Sequence, residues 1–348
     1  MEISGKFFTY NYPHEFPLER GSSLPGLQIA YHTYGTLNKK RDNVIWVCHA
    51  LTANSDVADW WPNTVVADGF LDPSRYFIVC ANFLGSCYGS TGPLSVNPST
   101  GEPWYDKFPK LTIRDQVNAH ILLADHLGIS SIFSLIGSSV GGFQAFEWAV
   151  MQPERFKSMV LIATAPIASP WTIAIDETQR MTIFADKSYG EKRADAAQSG
   201  LAAARAIGLL TYRGSKGYNL TQADHHTRHG HIPEETHRAC SYQRHQGKKL
   251  INRFDAYSYV AILDAFDTHH IGRGRGSLDE ALAAITMPVL SIAITTDIIF
   301  TPPEIKDFTS RMPNAIYREI DSEFAHDGFL VEHLLLNSLI NDFFKNIK

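Results

Sequence analysis

The run Gly137-Ser138-Ser139-Val140-Gly141-Gly142 carries the strongest chemical signal in the chain. It lies where an apolar, strand-like segment ends and a helical pattern begins, the context in which a G-x-S-x-G turn exposes its central serine. Small flanking residues let strand and helix approach closely, and the serine oxygen should stand at the helix N-terminus, where backbone amides can hold a developing oxyanion. Average composition alone yields a chance G-x-S-x-G in about one chain in ten of this size. The flanking strand and helix raise Ser139 above an ordinary glycine turn. A serine nucleophile needs a general base, and the base needs an orienting carboxylate. His326, in Glu323-Phe324-Ala325-His326-Asp327-Gly328-Phe329 ahead of a closing helical pattern, is the candidate base. His333 is a weaker rival, because it falls inside that apolar helical pattern. Asp297 follows the apolar run ending at Ile294 and is the candidate acid. Asp321 and Asp327 are substitutes that otherwise read as a loop carboxylate and a helix cap.

These residues need a scaffold, and the chain supplies one. Five short apolar runs, at 43–48, 76–81, 131–136, 159–163 and 289–294, are β-rich without clean alternation. Strands buried on both faces of a parallel sheet have that pattern. Helical patterns at 113–127 and 142–151 separate several of them, which argues for right-handed βαβ units. The pattern breaks between about Ser169 and Ala284, where helical stretches (201–210 and 257–266) replace strands. The expected architecture is an α/β-hydrolase fold with a mostly parallel sheet: a core of residues 1–168 and 285–348, and a helical lid insertion at 169–284. In that fold the partners follow in the order serine, acid, histidine, and Ser139, Asp297 and His326 obey it.

Several further stretches give the chain a more specific likeness. They are His49-Ala50-Leu51-Thr52, the run from Asn82 to Pro93 (NFLGSCYGSTGP), Thr112-Ile113-Arg114-Asp115, Thr211-Tyr212-Arg213 and Arg253-Phe254-Asp255. With the serine turn and His326-Asp327-Gly328-Phe329-Leu330, they resemble the homoserine O-acetyltransferase family in content and order. The resemblance implies a ping-pong transfer in which Ser139 takes an acyl group from acetyl-CoA, used as co-substrate with no cofactor, and passes it to the hydroxyl of L-homoserine. It implies an oxyanion hole from the amides of Leu51 and Val140. It also implies that Arg213 and Asp327 hold the acceptor's carboxylate and ammonium groups, and that the enzyme is a homodimer formed through the lid. Relative to the family pattern, Ser138 and Ala325 stand where glycine is usual, Tyr257 where asparagine is usual and His270 where aspartate is more usual. The stretch from Asp186 to Leu201 is shortened. These departures are expected near the acceptor pocket and lid, so they bear on the acceptor and acyl group more than on the nucleophile. Alternatives on the same machinery are a succinyl donor, serine as acceptor, or an ester or thioester hydrolase in which water replaces the acceptor. A non-catalytic binding module is disfavoured by the intact triad.

Bulk composition narrows the field further. The 348 residues are 44% hydrophobic and 19% charged, with a formal net charge of −5. Without a basic excess, a nucleic-acid partner is not expected. No run is long and apolar enough for a membrane helix and the N-terminus lacks a signal-peptide core, so a cytoplasmic protein is expected. The four cysteines show no pairing or metal-ligand spacing. His225, His226, His229 and His231 could place two imidazoles on one helix face, but Gly230 and Pro233 favour a loop, and no metal site is expected. Gly272-Arg273-Gly274-Arg275-Gly276 reads as a connection rather than an RNA-binding tract. Trp60-Trp61-Pro62 could line the active-site mouth or pack in the core.

Overall fold

The computed structural model describes residues 5–224 and 237–347; the histidine cluster at 225–231 lies outside them. These residues include ten strands: β1 (Lys6–Tyr12), β2 (Phe16–Pro17), β3 (Ser23–Leu24), β4 (Leu27–Tyr34), β5 (Val44–Cys48), β6 (Phe77–Ala81), β7 (Ser134–Ser138), β8 (Met159–Ile162), β9 (Val289–Ile294) and β10 (Ala315–Ile320). β2 and β3 form a small separate pair. The others form one sheet in the order β1-β4-β6-β5-β7-β8-β9-β10. From β6 to β10 in this order the strands run parallel, and β4 is antiparallel to both β1 and β6.

Every residue of β5, β7, β8 and β9 is buried, as helices on both faces require. Their apolar runs were legible for that reason. Strand β7 begins at Ser134 and reaches Ser138, later than the 131–136 run suggests, so the strand leads directly into the nucleophile. Strands β1 and β10 lie at the two edges, β1 mostly and β10 half exposed, and neither shows a periodic apolar pattern.

One motif that resembles a family mark, Thr112-Ile113-Arg114-Asp115, helps hold the scaffold together. The Thr112 side chain caps the helix Ile113–His126 by accepting from the Asp115 amide (3.2 Å), while Asp115 accepts from the Thr112 amide (2.8 Å), a reciprocal capping box. Arg114 then bridges Glu19 and the buried Glu147. Arg273 and Arg275 close on the same two acids, at 2.6 Å and 2.5 Å. The glycine-arginine stretch is therefore a clasp between the inserted helices and the core, with its cations already occupied.

Between β8 and β9 the described residues contain helices and no strand of the sheet. The first of these helices, Pro170–Phe184, starts with Ser169 accepting from the Thr172 amide and proline in the first turn. Among the described residues no helix is long and apolar enough to cross a membrane.

Candidate active site

Three loops at the C-terminal ends of parallel strands bring the sequence-selected residues together. Ser139 follows β7 directly and adopts φ 53°, ψ −132°, a strained conformation for a side-chain-bearing residue. Its amide is pinned to the Ile162 carbonyl of β8 (2.9 Å), and the helix Val140–Met151 starts at the next residue. The glycines around it are sterically required. A Cβ on Gly141 would strike the Cys48 carbonyl, and one on Gly142 would strike Thr164. Asp297 lies just past β9, where its Oδ1 accepts from the amides of Ile299 (2.8 Å) and Phe300 (3.2 Å). Its other oxygen faces His326, which sits in a short 3-10 turn beyond β10.

The resulting line is continuous. Ser139 Oγ lies 2.8 Å from His326 Nε2, and His326 Nδ1 lies 2.7 Å from Asp297 Oδ2. All three residues are buried. Burial by itself would lower the His326 pKa, but the charge and hydrogen bond of Asp297 outweigh it and leave the imidazole above its ordinary value. The arrangement can draw a proton from a serine hydroxyl and stabilise the imidazolium that forms. The rivals are elsewhere. His333 contacts the Val331 carbonyl, and Asp321 accepts from Thr295.

Two further residues brace the site: Thr296, which the sequence did not single out, and His49, which it gave only as part of the His49-Ala50-Leu51-Thr52 motif with no role of its own. Thr296 Oγ1 donates to the Ser322 carbonyl (2.7 Å) and accepts from the Ala325 amide (3.0 Å), tying the acid loop to the histidine turn. His49 is held neutral by burial, which pulls it down to about 4. Its Nδ1 lies 2.9 Å from the Ala50 carbonyl and its Nε2 accepts weakly from the Phe83 amide at 3.4 Å, fixing the turn that carries Leu51. No spacing rule marks Thr296, because it acts between two loops that lie apart in the chain.

The triad opens into a cavity of about 560 Å³. Leu51 and Val140 line it beside Ser139, and among the described residues neither amide has a protein acceptor. Helices between β8 and β9 also line it, through Ile175, Asp176, Arg205, Tyr212, Lys249 and Phe266. Trp60 lines the cavity, whereas Trp61 is buried and donates to the Phe329 carbonyl (2.8 Å).

Asp327 also lines the cavity, and it forms an ion pair with Arg213 (Nε to Oδ2 2.9 Å). It makes no side-chain cap on the helix that follows. Arg213 is not among the lining residues; its guanidinium lies 5.2 Å from the centre of the Tyr242 ring.

Of the departures expected near the acceptor pocket and lid, Ser138, Ala325, Tyr257 and His270 do not line the cavity, and Tyr257 and His270 fall within the 169–284 segment. Ser138 and Ala325 adjoin the nucleophile and the base in sequence but are buried behind them, and Ala325 holds the positive φ (49°) that glycine would adopt without strain. Tyr257 packs among Tyr105 and Tyr189 and donates to the Glu191 carbonyl (2.5 Å). His270 makes a bridge to Ile167, and its ring accepts from the Gly272 amide. Neither acid nor amide chemistry facing the cavity is lost at those two positions.

The serine, carboxylate and imidazole beyond the C-terminal ends of β7, β9 and β10 of a mostly parallel sheet define the α/β-hydrolase class, and the family model described as alpha/beta hydrolase fold matches residues 43–332. The chain is 45% identical over 327 residues to a homoserine O-acetyltransferase of Cyclobacterium marinum, covering 94% of this chain and 92% of that one. It is 39% identical over 348 residues to a homoserine O-acetyltransferase of Nostoc punctiforme, with 97% and 96% covered. Within the α/β-hydrolase class, then, this chain is an enzyme that belongs to the homoserine O-acetyltransferase family. Solved structures share the fold. The homoserine O-acetyltransferase of Bacillus anthracis superposes with TM-score 0.89 at 24% identity over all of both chains. An acetylester hydrolase of Corynebacterium glutamicum superposes with TM-score 0.86 at 22% identity, over 98% of this chain and 96% of that one.

Proposed function

We propose that this protein moves an acetyl group from acetyl-CoA to the side-chain hydroxyl of L-homoserine through an acyl-Ser139 intermediate, in the cytoplasm. In the first half-reaction His326 Nε2 takes the Ser139 proton as Oγ attacks the thioester carbonyl. The amides of Leu51 and Val140 would receive the oxyanion. Collapse breaks the C–S bond, and the departing thiolate takes the proton from His326. In the second half-reaction His326 takes the homoserine hydroxyl proton, the alkoxide attacks the acyl-serine, and collapse returns the proton to Ser139. No step needs a cofactor; CoA enters and leaves as co-substrate.

The observation that carries the acceptor assignment is the Arg213–Asp327 ion pair, with its carboxylate in the cavity wall one residue from the base. An amino-acid zwitterion carries the same two charges. It can give its carboxylate to Arg213 and its ammonium to Asp327, replacing each partner by an equivalent one. A neutral ester gains nothing from such a pair, and this favours transfer over hydrolysis.

Removing Arg213 should separate the half-reactions. Arg213→Ala is expected to form acyl-Ser139 from acetyl-CoA at close to the normal rate. Its kcat/KM for homoserine should fall about ten- to a hundredfold, because the acceptor's carboxylate is left without its charge-assisted hydrogen bond. Rapid-quench measurement of the first CoA turnover, followed by a homoserine titration, reads both. Unchanged homoserine transfer, or wild-type release of acetate as fast with homoserine as without, would move the assignment to the hydrolase.

The helices at 169–284 are read as a cap that also carries a homodimer contact. Supporting this, Trp171, Met181, Phe184, Leu210 and Leu220 of these helices are exposed apolar side chains. Light scattering should give twice the 38.9 kDa chain mass, and a Met181→Asp, Leu210→Asp double variant should shift the population toward monomer. A monomeric wild type would remove the proposal.

A further inference from the structure

The cavity mouth carries more positive charge than the acceptor clamp uses. Arg205, Lys249 and Arg253 all line it. The helix Gln198–Tyr212 supplies Arg205, the last turn of the helix Arg238–Ile251 supplies Lys249, and Arg253 follows two residues beyond that helix. The two helices pack closely at Gly247, where a Cβ would meet the Ala202 carbonyl at 2.8 Å, so Arg205 and Lys249 each lie within a turn of the crossing. Among the described residues none of the three has a carboxylate partner. The Arg205 guanidinium lies 5.6 Å from the Tyr212 ring centre. Arg253 donates to the Thr52 carbonyl and to the Tyr88 hydroxyl.

Among the described residues none of the acids lining the same cavity forms an ion pair with them. Asp327 is held by Arg213, and Asp59 accepts from the Asn54 side-chain amide (3.1 Å). Burial, and after it the charge of Asp267, push Asp176 well above the usual carboxylate range, toward its neutral form. Cations without acid partners at the rim of a partly apolar cavity focus a positive potential on whatever enters it.

We propose that Arg205 and Lys249, with Arg253 behind them, form an anion subsite that binds the phosphorylated tail of the acyl donor while its thioester reaches Ser139. This rests on the acyl-CoA reading above and adds to it the part of the donor that is recognised and the residues that recognise it. A cavity of about 560 Å³ exceeds what a four-carbon amino acid fills and is of the size that takes an extended ligand arm. Arg253 has a second duty, because its hydrogen bond to Thr52 braces the turn carrying Leu51. It is therefore left intact in the test.

The test compares two thioesters with the same reacting end, acetyl-CoA and acetyl-pantetheine, which lacks the phosphates. The wild type should prefer acetyl-CoA in kcat/KM, and raised ionic strength should weaken that preference. The ratio of the two kcat/KM values should fall about tenfold in Arg205→Gln or Lys249→Gln and further in the double variant, as expected for partly exposed charge-assisted hydrogen bonds. Arg205→Lys should recover much of the ratio. Adenosine 3′,5′-bisphosphate should inhibit the wild type competitively against acetyl-CoA and the double variant more weakly. A ratio within about threefold of wild type in the double variant, or no wild-type preference, would overturn the subsite while leaving acyl-CoA as donor. If neither thioester acylated Ser139, the donor reading would fail and this inference with it.

Discussion

Ser139→Ala should lose on the order of 10⁶ in turnover, the scale seen when the nucleophile of a serine protease is removed, and should take up no label from acetyl-CoA. Wild-type protein given acetyl-CoA without acceptor should gain one acetyl mass on the peptide containing Gly137 to Gly142. The expectation rests on geometry. Oγ stands 2.8 Å from the imidazole placed to receive its proton, on a backbone held in a strained conformation by close strand and helix packing. Alanine at 139 removes the attacking oxygen and leaves the amides of Leu51 and Val140 in place, so the residual rate measures what binding and the oxyanion site do alone. Because the substitution only trims an atom facing the cavity, its melting temperature should stay near that of the wild type. Acetylation at another residue, or an alanine variant retaining most turnover, would exclude the covalent route through Ser139.

Asp297→Asn should cost about 10⁴ in turnover by the same comparison, and should slow acylation and deacylation alike, since both use the oriented imidazole. Asparagine can still accept the Ile299 and Phe300 amides, so the loop should survive. What it loses is the charge that fixes the Nδ1–H tautomer and holds the His326 pKa up against burial. The pH profile gives an independent check. Catalysis needs the neutral imidazole, so kcat/KM rises as pH climbs through the His326 pKa, which in the wild type lies above the ordinary 6.5. Without the Asp297 charge, burial is opposed only by the charge of Asp327, and the residual activity of Asp297→Asn should have its acid limb at lower pH. An acid limb that stayed in place, or acylation at the wild-type rate, would show that another carboxylate supports His326. Asp321, which instead accepts from Thr295, is not placed to do so.

Much of this was decided locally along the chain. Strands β5 to β9 could be read as apolar runs because a parallel sheet covered on both faces needs continuous hydrophobicity, and the nucleophile could be read because G-x-S-x-G meets a strand on one side and a helix on the other. Asp297 and His326 followed from chain order, since this fold sets its catalytic loops beyond the C-terminal ends of parallel strands in the order serine, acid, histidine. Family likeness came from short motifs, some of which prove structural: Thr112 and Asp115 cap a helix, and Arg114 joins an ion-pair cluster. Edge strands β1 and β10 escaped notice because exposure on the edge relaxes the pattern that would reveal them.

Only the tertiary structure decided which distant groups share a space. Arg213 and Asp327, separated by 114 residues, neutralise each other. Arg205, Lys249 and Arg253 converge on the mouth, with no acid partner among the described residues. Thr296 links two catalytic loops, whereas Tyr257 and His270, expected near the acceptor pocket and lid, line no part of the cavity. The physical reason is the same in each case. Periodicity and turn chemistry act between neighbours in sequence, whereas pairing, burial and cavity shape depend on how helices from one part of the chain cross strands from another.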